Sequence, residues 1–291
     1  MTQSATESGS AGVADAATLL FVPGDRPERF AKALAARADA VVIDLEDAVA
    51  PDDKDAARTV VAEWLAADTD SAVAVRINAD GTQWHRDDLT ALAGTGATVM
   101  VAKAERPRAL ADSIAALGPD GDVIALIETA RGVLSAADLA ALPGVRRLAI
   151  GTFDLAAELG VDPDDRDALA TARRTLVLAS AAAGLAGPID GVTASVDDAV
   201  RIADDVGYAR RLGFAGKLCI HPRQIPPVAA AMRPSDAEVA WATKIGAAIA
   251  ANPGAVTVVD GKMVDKPVID RATRILRLAG NALDGDGRIN Q

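Results

Sequence analysis

The sequence predicts an α/β protein: a closed (β/α)8 TIM barrel followed by a C-terminal extension of helix, β-hairpin and helix. Three observations predict it. From Thr18 onward, short apolar runs alternate with longer amphipathic stretches, the pattern of βαβ units on a parallel sheet. Eight such runs occur, spaced at roughly 25 residues, which is the arithmetic of a barrel. The first run is followed by Pro23-Gly24-Asp25-Arg26-Pro27, not by the Gly-rich phosphate loop that an open doubly wound sheet usually carries there. Aromatics make up only 3% of the 291 residues, so the core must be packed from small aliphatic side chains.

Taken in order, residues 1–17 are rich in Ser, Ala, Gly and Thr, with no basic segment and no apolar run. They read as a disordered tail, neither a signal peptide nor an anchor. The barrel is expected over residues 18–234. Its strands are Thr18–Pro23, Ala40–Leu45, Ala72–Ile77, Thr98–Lys103, Asp122–Ile127, Arg147–Gly151, Pro188–Val192 and Gly216–Ile220. Helical patterns lie between them at Pro27–Arg37, Lys54–Ala66, Pro107–Leu117, Leu169–Ala183 and Val196–Leu212. Residues 235–291 form the extension. A helix is expected over Ser235–Ala250, then a hairpin pairing Ala255–Val259 with Lys262–Val264 about the strong turn signal Asp260-Gly261. A last helix follows at about Val268–Leu278 behind Pro267, a good starter residue, and the polar tail beyond Asn281 is expected to fray.

The formal net charge of −11 argues against nucleic acid or an anionic membrane as a general partner. No apolar run is long enough to span a membrane. A single cysteine, Cys219, rules out an internal disulfide and fits a reducing, cytoplasmic setting.

Barrels gather their chemistry at the C-terminal ends of the strands. Read there, this chain shows Asp44, Glu46 and Asp47; Arg76 and Asn78; Lys103 and Glu105; Glu128; Asp154; and His221. Charges that follow apolar strands this closely are costly to bury unless they are paired or bound to metal. Glu128 and Asp154 come from neighbouring strands, so their oxygens can share one cation. Hard oxygen ligands favour Mg²⁺, with Mn²⁺ possible, and only two histidines exist, without zinc spacing. Asp154 could instead cap the helix that begins at Leu155. Arg76 suits a bidentate grip on a substrate carboxylate, or a salt bridge to Asp44 or Glu46; the two roles are compatible. Cys219 reads as a small core residue, and His221 as a residue that orients the last loop.

The series Val22-Pro23-Gly24-Asp25, Ile43-Asp44-Leu45-Glu46-Asp47-Ala48-Val49, Val75-Arg76-Ile77-Asn78, Lys103-Ala104-Glu105, Ile127-Glu128-Thr129 and Gly216-Lys217-Leu218-Cys219-Ile220-His221-Pro222 resembles the citrate lyase beta-subunit-like acyl-CoA lyases, which include malyl-CoA and citramalyl-CoA lyases. The match runs in order from about Leu19 to Leu278. The resemblance implies Mg²⁺ on Glu128 and Asp154, and substrate carboxylate on Arg76. It implies that Asp265, in Met263-Val264-Asp265-Lys266-Pro267, reaches a neighbouring subunit's site and moves the proton at the thioester's α-carbon, so that the molecule is not a monomer; the resemblance also implies a homotrimer or hexamer. Asp44 and Glu46 would orient metal waters and Arg76; Gly151, Thr152 and Phe153 would line the substrate. Arg29 and Lys32 would contact coenzyme A, unless they are simply surface residues. Many relatives carry Glu where this chain has Phe153, which bears on substrate choice.

The implied activity is reversible cleavage of a 3-hydroxyacyl-CoA thioester of the malyl, citramalyl or citryl type into acetyl-CoA or propionyl-CoA and a 2-oxo acid such as glyoxylate, pyruvate or oxaloacetate, with thioester hydrolysis as an accompanying activity. Two rivals stand beside it: a metal-dependent pyruvate aldolase working without CoA, and a lyase subunit that needs partner chains.

Overall fold

The computed structural model describes residues 10–67, 71–251, 257–280, 282–283 and 289–290. Its first unit, ending at Ala229, is a closed barrel of eight parallel strands in sequential order. The elements of this unit run α1 (Ser10–Asp15), β1 (Thr18–Pro23), α2 (Phe30–Ala35), β2 (Ala40–Asp44), α3 (Lys54–Ala67), β3 (Val73–Ile77), α4 (His85–Leu92), β4 (Thr98–Val101) and α5 (Pro107–Leu117). They continue with β5 (Val123–Ile127), α6 (Ala130–Leu134), α7 (Ala136–Ala140), β6 (Val145–Ile150), α8 (Thr152–Leu159), α9 (Ala170–Ala182), β7 (Ile189–Asp190), α10 (Ala199–Leu212) and β8 (Gly216–Cys219). The barrel closes where β1 pairs with β8, Leu19 opposite Leu218.

Side chains alternate in and out along a strand, and that period explains both the core and the rim. Ala40 and Val42 on β2, Ala74 on β3, Ile124 and Leu126 on β5 and Leu218 on β8 fill the lumen. Two residues further along the first three of these strands the same inward rows reach Asp44, Arg76 and Glu128. The alternation therefore delivers ionisable groups to one end of a cylinder whose interior is otherwise packed with aliphatic side chains.

The opposite end is closed by the N-terminal segment, which corrects the expected tail. Residues 1–9 lie outside the described residues, but Ser10–Asp15 is helical, and Val13 and Ala16 are buried in the lumen cluster. Arg147, fully buried near the start of β6, donates to the backbone carbonyls of Ala16 at 2.5 Å, Ala14 at 3.2 Å and Gly187 at 2.8 Å. Burial pulls the pKa of this guanidinium down to about 10, against the smaller opposing effect of Asp15.

Other boundaries also differ from expectation. The seventh strand shortens to Ile189–Asp190; Gly191 follows against Thr152, and Val192 packs on the lumen cluster without strand pairing. The first barrel helix opens as a tight 3-10 turn at Pro27–Arg29, as the proline ring at its start allows. Short helices α4, α6 and α7 have too few residues to show a period in sequence.

The second unit begins at Ala230, a few residues before the boundary expected at 234. The helix α11 (Ile225–Met232) leads to α12 (Asp236–Ala251), the hairpin β9 (Thr257–Val259) and β10 (Lys262–Val264), and α13 (Lys266–Leu278). Asp260 and Gly261 both take positive φ, 51° and 73°, as a type I′ turn demands. Val259, Val264, Ala242, Ile245, Ala272, Ile275 and Leu276 form this unit's own apolar core. The tail expected to fray instead pairs β11 (Ala282–Leu283) with β12 (Ile289–Asn290). No helix among the described residues is long and apolar enough to cross a membrane.

Candidate active site

The C-terminal mouth of the barrel holds a cavity of about 390 Å³ lined by Phe21, Asp44, Asp47, Arg76, Glu128, Gly151, Thr152, Phe153, Asp154 and Ile220, among others. Arg76 is its electrostatic hub. Asp44 and Arg76 sit opposite each other in the β2–β3 register, so their side chains meet in a bidentate pair, Nε to Oδ1 at 2.8 Å and Nη2 to Oδ2 at 2.6 Å. Nη1 lies 3.0 Å from Glu46 Oε2 and 3.5 Å from Asp47 Oδ2. The guanidinium also stacks on the Phe21 ring, 4.8 Å from its centroid. Burial alone would weaken its hold on a proton; the hydrogen bond and charge of Asp44, with Glu46 and Asp47, raise its pKa instead. The salt-bridge reading of Arg76 is realised.

The loop carrying Glu46 is fixed from beneath. Asp44 accepts from the backbone N–H groups of Glu46 at 2.9 Å and Ala48 at 3.1 Å. Lys54 Nζ donates to the carbonyls of Leu45 and Glu46, each at 2.8 Å, and Asn78 donates to Leu45 O at 3.0 Å.

Glu128 ends the apolar β5 and is buried. Its Oε1 accepts from the backbone N–H of Lys103 at 2.9 Å. Burial first, and the negative Glu46 second, push its carboxyl up to about 8, against the pull of Lys103. A methyl group built on Gly151 would overlap the Glu128 side chain, so only glycine at the end of β6 leaves room for this carboxylate. Gly151 is also the N-cap of α8, which places Asp154 in the first helical turn rather than at the cap. The capping alternative for Asp154 is therefore set aside; its carboxylate is half-exposed toward the cavity.

Lys103 is the residue whose role the sequence did not reveal. It follows β4 with φ of 47°, an uncommon conformation for a side chain of this kind. Its ammonium stands 2.8 Å from Glu46 Oε1, 3.2 Å from Asp154 Oδ2 and 4.0 Å from Glu128 Oε1. Burial would lower its pKa, but these carboxylates, Glu46 first, raise it. Only the Lys-Ala-Glu string hinted at it; nothing in the residue letters signals a left-handed backbone that swings a lysine across three strand ends.

Glu128 and Asp154 thus approach the same cation at the same rim. Their chemistry fits a hard divalent ion: two carboxylates with hydration or ligand oxygens completing an octahedron. Among the described residues no three His, Cys, Asp or Glu side chains gather as a ligand set.

The remaining expected site residues lie elsewhere. Arg29 and Lys32 are exposed near the start of the first helix, Arg29 beside Glu28 at 3.9 Å, and neither lines the cavity. Asp265, in the second unit, is exposed and caps α13, accepting from the Val268 N–H at 3.2 Å. Cys219 is fully buried on β8, its thiol pushed up to about 12 by burial. His221 caps the turn after β8, accepting from the Arg223 N–H at 3.1 Å.

Comparison with known proteins gives one consistent picture. The sequence model of the HpcH/HpaI aldolase/citrate lyase family matches residues 17–222. A citrate lyase subunit beta-like protein of Mycobacterium tuberculosis is 44% identical over 270 residues, covering 90% of this chain and 95% of the relative. A (3S)-malyl-CoA thioesterase of Cereibacter sphaeroides is 38% identical over 269 residues, covering 90% and 94%. The crystal structure of the protein CitE from Mycobacterium tuberculosis in complex with magnesium, acetoacetate and coenzyme A is similar with a TM-score of 0.79 and 40% identity, over 92% of this chain and 99% of that one.

Proposed function

The chain belongs to the HpcH/HpaI aldolase/citrate lyase family, and from that premise we propose that it is a Mg²⁺-dependent carbon–carbon lyase acting on a 3-hydroxyacyl-CoA. Cleavage gives acetyl-CoA and a 2-oxo acid; condensation is the reverse. The observation that carries the reading is the convergence of Glu128 and Asp154 on one ammonium, beside the half-buried Arg76, at the mouth of the cavity.

In condensation the thioester's α-carbon loses a proton to the carboxylate of Asp265, supplied by a neighbouring copy. That carbon then bonds to the oxo carbon of the acid as its C=O π bond opens; the oxygen takes up one proton to become the hydroxyl, and Asp265 gives back the one it took. Held by Glu128 and Asp154, Mg²⁺ would act as Lewis acid toward the oxo group and orient the acid's carboxylate. Arg76 supplies fixed positive charge where negative charge develops. Asp44 and Glu46 hold its fork in place, so no reorganisation is needed during reaction. With its donors engaged in this way, Arg76 acts by field and position more than by clamping a substrate. Gly151 and Thr152 shape the wall beside Glu128, and Arg29 and Lys32 are candidate contacts for coenzyme A phosphates. Action of Asp265 in trans requires more than one copy of the chain, a trimer or hexamer is what the family resemblance implies, and the reading carries a cytoplasmic location with it.

The test is turnover of malyl-, citramalyl- and citryl-CoA by purified protein, with and without Mg²⁺, following release of acetyl-CoA. Metal-dependent acetyl-CoA from at least one thioester is expected. Release of free CoA with the intact hydroxy acid would show thioester hydrolysis instead. Aldol cleavage that proceeds equally without any thioester would overturn the CoA-linked reading in favour of a simple aldolase.

A further inference from the structure

The cavity at the barrel mouth is divided by chemistry, and that division bears on which 2-oxo acid it takes. We propose that the acceptor is a monocarboxylic 2-oxo acid with a short alkyl substituent, not a dicarboxylic one; this rests on the lyase reading and deepens it.

The first argument is charge. Around the mouth stand five carboxylates, Asp44, Glu46, Asp47, Glu128 and Asp154, against two cations, Arg76 and Lys103. One divalent metal ion still leaves the formal balance negative by one charge. Arg76 turns Nε and Nη2 to Asp44 and Nη1 to Glu46. Lys103 is held by Glu46 and Asp154. One substrate carboxylate can sit on the metal ion, but a second would meet no free cation among the lining residues. Like charges brought together in a partly desolvated site are a strong means of rejection.

The second argument is the apolar part of the lining. Phe153 and Ile220 are 39% and 46% exposed, and both line the cavity together with Ile150, Val192 and Leu218. Phe153 adjoins Asp154 in the first turn of α8. An acid anchored beside Asp154 therefore presents its substituent to an aromatic ring and aliphatic side chains. A methyl or ethyl group gains from covering them; a carboxylate loses hydration with no compensating partner.

Calorimetry on the Mg²⁺-loaded protein tests this without turnover, using pyruvate, 2-oxobutyrate and fresh oxaloacetate as probes. Pyruvate and 2-oxobutyrate should bind roughly tenfold or more tightly than oxaloacetate. The variant Phe153→Lys, which adds a cation at a half-exposed helical position, should raise oxaloacetate affinity by roughly tenfold while weakening 2-oxobutyrate. Equal or tighter binding of oxaloacetate by the unaltered protein overturns the proposal, as does absence of binding by all three acids. An unchanged ranking in Phe153→Lys also overturns it. Preferential binding of the alkyl acids by a protein that turns over no CoA thioester would support this inference while contradicting the lyase reading, so the two fail separately.

Discussion

At the scale of single residues, the mouth of the barrel is held together by Lys103. Its ammonium stands among Glu46, Asp154 and Glu128, three carboxylates that would otherwise repel one another across the strand ends. A divalent ion on Glu128 and Asp154 would take over part of that neutralisation. Lys103→Gln should therefore lower the melting temperature of the metal-free protein by about 3 °C, and Mg²⁺ should restore more of it than it adds to the unaltered protein. Differential scanning fluorimetry with and without Mg²⁺ reads this directly; an equal metal-induced shift in both proteins would speak against it. The neighbouring charges were legible for a simple reason. Asp44, Arg76 and Glu128 continue the inward rows of their strands, so the period-2 pattern alone aims them at the mouth. Lys103 was not, because its role depends on a positive φ that its residue type does not announce.

At the scale of elements, the C-terminal hairpin and helix were readable from Asp260-Gly261 and Pro267, whose backbone preferences leave few alternatives. The short helices were not, since five to eight residues show too little of a period. Nor was the shortening of β7 to two residues. Asp265 combines two roles that substitutions can separate. Its carboxylate caps α13 through the Val268 N–H, and it is the proposed proton acceptor. Asparagine caps a helix about as well as aspartate, whereas alanine costs about 1 kcal/mol, and neither can take the proton. Asp265→Asn should keep the melting temperature yet lose roughly 100-fold or more in turnover, while Asp265→Ala should lose both. Full activity in Asp265→Asn would remove this residue from the chemistry.

At the scale of the whole molecule, the barrel is secured at two places that sequence reasoning did not foresee. One is the floor, where α1 and the carbonyls bound by Arg147 close the lumen. An N-terminus rich in small polar residues looked disordered because Val13 and Ala16 are too few to form a visible pattern. The other is the fully buried Asp190 at the end of β7, paired with Lys217 on β8 at 2.7 Å and Arg173 on α9 at 3.0 Å. Burial would raise the Asp190 pKa, yet Lys217 and Arg173 together hold it below the usual 3.8. A carboxylate held low in the folded state contributes stability at pH above the unfolded value. That contribution is lost as pH falls below 3.8 toward the folded value. Asp190→Asn leaves two buried cations without their counter-charge and should cost about 3–5 kcal/mol at neutral pH. Its denaturant midpoint should lie well below that of the unaltered protein at pH 7, with the gap narrowing in acid; a gap that stays constant with pH would contradict the pairing.

The central claim is that Glu128 and Asp154 together hold one hard cation, and the most direct measurement is a calorimetric Mg²⁺ titration of the unaltered protein beside Glu128→Gln and Asp154→Asn. Replacing either carboxylate by a neutral amide should weaken Mg²⁺ binding by roughly 100-fold while circular dichroism shows the same fold. Undiminished Mg²⁺ affinity in both variants would mean that the cation binds elsewhere, and would contradict the account.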